Sequence, residues 1–108
     1  PASRIENRVG EPAANPYLYL ASQIIAGLDG LANQTPPGTP ADEPYGTPAP
    51  LLPTTLARAV DALEHSAVFR NAMGASFITY LTDIKKAEIK RYELEVSEWE
   101  QREYFDMF

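Results

Sequence analysis

The 108-residue sequence contains no cysteine, which excludes disulfides, thiolate metal sites and cysteine nucleophiles and leaves the redox compartment open. Histidine is nearly absent as well. His65 stands alone, without a second imidazole to share a metal, and reads as a surface or capping residue. Basic residues are few: nine Lys and Arg against fifteen Asp and Glu leave a net charge of −6, so the clustered positive charge of a general nucleic-acid or acidic-membrane binder is missing. No uncharged apolar run approaches the ~20 residues that span a bilayer. A phosphate-binding P-loop and a Gly-rich dinucleotide fingerprint are both lacking. None of Ser3, Ser22, Ser66, Ser76 and Ser97 sits in a Gly-x-Ser-x-Gly setting. The first residues hold no basic stretch leading into an apolar core, so no signal peptide is expected and the expected location is cytoplasmic. The length suits one small domain, not two. Because the sequence starts at Pro1 rather than Met, the expectation is a piece of something longer.

What is present falls into four zones. From Pro1 to Ala14 apolar and charged residues alternate through Arg4, Ile5, Glu6, Asn7, Arg8 and Val9. Successive side chains of a strand point to opposite faces, so a strand over residues 1–10 would set Arg4, Glu6 and Arg8 on one face. Gly10 and Pro12 would end it. Asn15-Pro16 then supplies a good N-cap and a proline suited to the first helical turn. Leu20, Ile24, Leu28 and Leu31 follow at helical spacing, widened by Leu18 and Ile25, with no charge from Tyr17 through Leu28. Apolar residues nearly all round predict a buried helix over residues 15–31. Tyr17 and Tyr19, two apart, cannot share a face of it and read as packing residues.

Residues 34–53 hold seven of the ten prolines. Each fixes its own backbone and disfavours helix before it, so an extended loop that crosses another surface is expected. Residues 54–108 read as helices. Thr54 or Thr55 caps the first, with Leu56, Ala59, Val60 and Leu63 on its apolar face. His65-Ser66 interrupts, and a short helix with Val68, Phe69 and Met73 closes at Gly74. One long helix is predicted to follow, with Phe77, Leu81, Ile84, Tyr92, Val96 and Trp99 along one face. Its charge is blocked, Lys85, Lys86, Lys90 and Arg91 preceding Glu93, Glu95, Glu98, Glu100, Glu103 and Asp106. Acidic groups near a helix C-terminus oppose the macrodipole. With Tyr104, Phe105, Met107 and Phe108 at the end, this acidic, aromatic tail is expected to dock on a neighbouring surface.

Arg4-x-Glu6-x-Arg8 is the constellation with chemical content. Glu6 is a hard oxygen donor suited to Mg²⁺ or Mn²⁺, and guanidinium groups suit phosphate or carboxylate. Phosphoryl transfer needs that combination, since its catalysis is mostly placement and charge neutralisation. The same spacing also occurs on ordinary salt-bridged strand faces, and no complete active site can be assembled within the chain.

The run Ser3-Arg4-Ile5-Glu6-Asn7-Arg8-Val9-Gly10-Glu11-Pro12-Ala13-Ala14-Asn15-Pro16-Tyr17-Leu18, followed by Ile25-Ala26-Gly27-Leu28-Asp29-Gly30, closely resembles the catalytic domain of glutamine synthetases. The resemblance implies an α+β fold of which this chain is a C-terminal part, mainly helical, with one N-terminal strand and a proline-rich crossing segment. It implies ATP-dependent ligation of ammonia to the γ-carboxylate of glutamate through γ-glutamyl phosphate, with Mg²⁺ or Mn²⁺ as cofactor and subunits assembled in a homo-oligomeric ring. Carried onto this sequence, Glu6 resembles a metal ligand and Arg8 the arginine that binds glutamate and steadies the transferring phosphoryl group. Arg4 would lie near the nucleotide phosphates. The family's remaining metal ligands, the ammonium-site acid and most of the nucleotide site lie upstream of the position of Pro1, so the fragment alone is not expected to be active. Tyr45 falls near a regulatory tyrosine of some bacterial members, but Asp42-Glu43-Pro44-Tyr45-Gly46-Thr47-Pro48 does not reproduce that site. Asn7, Val9-Gly10 and the ending Trp99-Glu100-Gln101-Arg102-Glu103-Tyr104-Phe105 are more similar to the branch whose members join glutamate to other amines, such as a polyamine. A non-catalytic assembly fragment is the alternative outside enzymology.

Overall fold

The computed structural model describes residues 4–43, 46 and 49–107; Tyr45 and its expected lack of modification lie outside them. Among the described residues five helices follow one another, α1 (Pro16–Ala32), α2 (Leu56–Glu64), α3 (Ala67–Met73), α4 (Ala75–Glu93) and α5 (Glu98–Tyr104). The chain divides into two compact units between Pro40 and Ala41.

In the first unit Asn15 is the N-cap of α1, its side-chain oxygen accepting from the backbone N–H groups of Tyr17 and Leu18. That satisfies two of the amides that a helix start leaves without partners. Within this chain the expected burial of the helix is not met: α1 buries none of its residues, and Leu20, Ile24, Leu28 and Leu31 are exposed. Burial of a helix face needs a second element across from it, and α1 is the one helix of its unit. The expected N-terminal strand, which needs a neighbour to pair with, is not seen in this chain: among the described residues no strand forms, and residues 4–11 belong to no regular element. A strand exists through the ladder to its neighbour, and none of the described residues offers a second strand to pair with.

In the second unit α2 and α3 both pack on α4. Thr55 caps α2 by accepting from the Arg58 N–H, and Ser66 caps α3 by accepting from the Phe69 N–H. Gly74 ends α3 and starts α4 with a φ of 91°, a left-handed region where a side chain would be strained. The core is small: Val60 on α2 is 6% exposed, and Ile78 and Thr82 on α4 are fully buried. The buried hydroxyl of Thr82 donates back to the Thr79 carbonyl at 2.9 Å and so carries no unmet polar cost. The seam on α4 therefore runs through Ile78 and Thr82, one residue round from the Phe77–Leu81–Ile84 face expected from spacing; Phe77 and Ile84 are exposed.

The single long C-terminal helix is corrected to two. Helix α4 stops at Glu93, and Ser97 opens α5 with a capping box in which its hydroxyl accepts from the Glu100 N–H while Glu100 accepts from the Ser97 N–H. These bonds hold the Glu100 carboxyl below the usual carboxylate range. The interruption also reverses part of the electrostatic expectation. Lys90 and Arg91 end α4, and Glu98 and Glu100 begin α5, so these four charges complement their helix dipoles, while Glu93 and Glu103 still lie in last turns. Arg102 still meets Glu98, at 3.6 Å.

Across the α2–α4 seam Lys86 Nζ donates to both carboxylate oxygens of Glu64, at 2.6 and 2.7 Å. The hydrogen bond from Lys86 holds the Glu64 carboxyl below its ordinary range, and the same bond raises the Lys86 ammonium. A lowered carboxyl stabilises the fold above its unfolded pKa of ~4.3, and this is lost as pH falls through the lower folded value. A raised ammonium stabilises below ~10.4, and this is lost as pH rises through the higher folded value. Thermal midpoints measured from pH 3 to 11 should therefore show a difference between the native chain and Glu64→Gln that is flat between about pH 5 and 10 and shrinks at both ends. Replacing Ile78 by Ala should cost about 2–5 kcal/mol, read by chemical denaturation, whereas Phe77→Ala should cost much less.

Candidate functional site

Arg4, Glu6 and Arg8 lie in the segment before α1, held by local side-chain bonds in place of a β-ladder. Arg8 Nε donates to Glu6 Oε1 at 2.9 Å, with the two side chains 83% and 51% exposed. The alternation read from the sequence survives in this contact: Glu6 and Arg8 meet each other, while Asn7 between them reaches α1, its Nδ2 donating to Gln23 Oε1 at 2.6 Å. The Asn7 side-chain Oδ1 also accepts from the Val9 N–H at 3.0 Å. Farther along, Glu11 Oε1 accepts from the Ala13 N–H at 3.1 Å. Side chains that bond the backbone two residues on make Asx-type turns, which compete with extended ladder structure.

Gly10 adds a second contact with α1. A Cβ built there would come within 3.3 Å of the Tyr19 ring and of its hydroxyl oxygen, tighter than ordinary packing allows. Tyr19, half-buried, thus lies over the segment, whereas Tyr17 is exposed. Neither Tyr19 nor Gln23 was singled out for the site from the sequence. Their signal was present in the i,i+4 spacing, which sets both on one face of a helix.

Chemically, the pair offers one carboxylate and one guanidinium that face solvent together. Among the described residues Glu6 Oε2 accepts no hydrogen bond and the Arg8 terminal nitrogens donate none. One oxygen is thus available to a cation and two nitrogens to an anion. Arg4 is exposed and forms no ion pair among the described residues. A hard divalent ion such as Mg²⁺ takes oxygen ligands and is usually held by one or two carboxylates with substrate phosphates; Glu6 fits one such position.

Elsewhere, ligand atoms of Asp61, Glu64 and His65 come within 4.8 Å of one another at the end of α2. Both Glu64 oxygens already accept from Lys86. His65 Nδ1 is 2.9 Å from the Asp61 backbone oxygen and 3.3 Å from its carboxylate, and His65 is the C-cap residue of α2. A cavity of about 660 Å³ lies along α2 and α4, lined by Leu56, Ile89, Tyr92 and Glu93 among others.

A family model described as glutamine synthetase, catalytic domain, matches residues 1–104. A gamma-glutamylanilide synthase from an Acinetobacter species is 50% identical over 99% of the chain and 24% of its own length. A glutamine synthetase from Archaeoglobus fulgidus is 35% identical over 98% of the chain and 23% of its own length. Human lengsin is 38% identical over 95% of the chain and 21% of its own length. The chain thus spans about a quarter of the length of these curated relatives. No solved structure matches it.

Because an exposed ion pair is worth at most about 1 kcal/mol, Glu6→Gln and Arg8→Gln should each leave the chain's unfolding midpoint nearly unchanged. Circular dichroism melts check this, and a large loss would mean that the pair serves the fold.

Proposed function

The chain belongs to the glutamine synthetase catalytic-domain family, and from that premise we propose that it is the C-terminal part of an ATP-dependent ligase joining glutamate to an amine. The observation that carries this reading is the contact between Glu6 and Arg8, a carboxylate and a guanidinium side by side with unused donor and acceptor atoms. In the proposed reaction a γ-carboxylate oxygen of glutamate attacks the terminal phosphorus of ATP. The bond to the bridging oxygen breaks, and ADP leaves. The amine nitrogen then attacks the γ-carbonyl carbon of γ-glutamyl phosphate, inorganic phosphate departs, and the nitrogen gives up a proton.

Glu6 would hold Mg²⁺ or Mn²⁺ through Oε2, and the bound ion would neutralise charge on the ATP phosphates. Arg8 would bind the glutamate carboxylate and the transferring phosphoryl group through its terminal nitrogens, for which a planar guanidinium is well shaped. Arg4 would contribute positive charge toward the nucleotide phosphates. The remaining ligands would come from sequence outside this chain, which spans about a quarter of its relatives. A ring of like subunits is part of the same proposal, supported by the exposed apolar faces of α1 and α5.

Ammonia is the acceptor that the family name implies. A second reading is favoured by one observation: identity is 50% to a gamma-glutamylanilide synthase and 35% to a glutamine synthetase. On that ground a primary aromatic amine is the proposed acceptor. The full-length ligase should release ADP and phosphate only when glutamate and amine are both supplied, with a higher kcat/KM for aniline than for ammonia. Glu6→Gln should lower turnover by at least about a hundredfold. A preference for ammonia overturns the acceptor assignment, and an unaffected Glu6→Gln overturns the ligase role of the pair.

A further inference from the structure

Two contacts join the segment that carries Glu6 and Arg8 to α1. Asn7 donates to Gln23 Oε1 at 2.6 Å, the one side chain–side chain hydrogen bond between the segment and α1 among the described residues. Three positions later the Gly10 Cα lies against the Tyr19 ring, so closely that a Cβ would meet it at 3.3 Å. The contacts fall on either side of Arg8, and their partners on α1 are one turn apart on one face.

Asn7 is used at both ends of its amide. Its Nδ2 faces Gln23 and its Oδ1 accepts from the Val9 N–H, so turning the amide over would break both bonds. The Val9 bond closes the chain around Arg8, and the Gln23 bond ties that closed turn to a helix whose own start is fixed by the Asn15 cap. We propose that Gln23, with Tyr19, is a positioning residue that holds the Arg8 turn on α1 and thereby sets the Glu6–Arg8 pair toward its metal and substrate. This rests on the reading of that pair given above. Gln23 touches neither ligand; it acts through Asn7.

A displacement of a binding group by about 1 Å can cost a reaction about a hundredfold. In the full-length ligase Gln23→Leu, which loses the acceptor, should therefore lower kcat/KM for glutamate by about ten- to a hundredfold. Gln23→Glu, which keeps an acceptor oxygen at the same reach, should recover activity to within about threefold of the native enzyme. In the same full-length ligase, amide hydrogen exchange over residues 7–10 should be faster in Gln23→Leu and native in Gln23→Glu. Native exchange in Gln23→Leu, or equal impairment of both variants, overturns the positioning role. An inactive Glu6→Gln beside a native-like Gln23→Leu overturns this role alone. Native turnover in Glu6→Gln overturns the reading of the pair and the positioning role with it.

Discussion

The free amide groups at the start of each helix are the constraint around which this chain is organised. A fold with Val60, Ile78 and Thr82 as its buried residues among those described has little packing with which to choose where helices begin. Side-chain oxygens make that choice for α1, α2, α3 and α5, while α4 starts at Gly74 without one. Asn15, Thr55, Ser66 and Ser97 each accept from amides of the first turn, and each cap is worth about 1 kcal/mol. The turns of residues 7–14 extend the same device outside the helices, with Asn7 and Glu11 bonding backbone N–H groups two residues on.

Capping is written locally, which is why the helix starts at Asn15, Thr55 and Ser66 are readable in the sequence. Ser97-Glu98-Trp99-Glu100 carries the same kind of signal, a serine followed three residues later by glutamate. Hydrophobic spacing that ran on through Val96 to Trp99 masks it, and the cap prevails. Which face of α4 is buried depends on what packs against it. Spacing alone favoured Phe77, in register with Leu81 and Ile84. The packing of α2 and α3 on α4 leaves Ile78 and Thr82 buried, and a threonine does not announce itself as core until its hydroxyl is seen to bond the Thr79 carbonyl.

The site follows the same division. Arg4-x-Glu6-x-Arg8 was legible as chemistry because residue type and two-residue spacing are local properties, and Glu6 and Arg8 do meet. The strand expected to carry them is not seen in this chain, since a strand is a relation between two segments and residues 4–11 find no partner among those described. In the sequence Asn7 marks a similarity to one branch of the family and no contact. Its contact with Gln23, sixteen positions away, is tertiary information that no single-segment pattern contains. The uncovered apolar surface of α1 has the same origin: the composition of residues 17–28 foretold a need for burial, and only a neighbouring element can meet it.

The interruption at residues 94–97 separates two regions of very different persistence. Seven residues are too few to keep a helix wound without support from elsewhere, and α5 has seven. Had residues 75–104 formed one rod, its far end would have stood some 45 Å from its start, and unwinding there would have propagated back along a shared ladder. As it is, α5 can loosen and rewind as its own cooperative unit, with the edge-to-face contact of Trp99 and Tyr104 at 6.1 Å as its private fastening, while the seam around Ile78 stays closed.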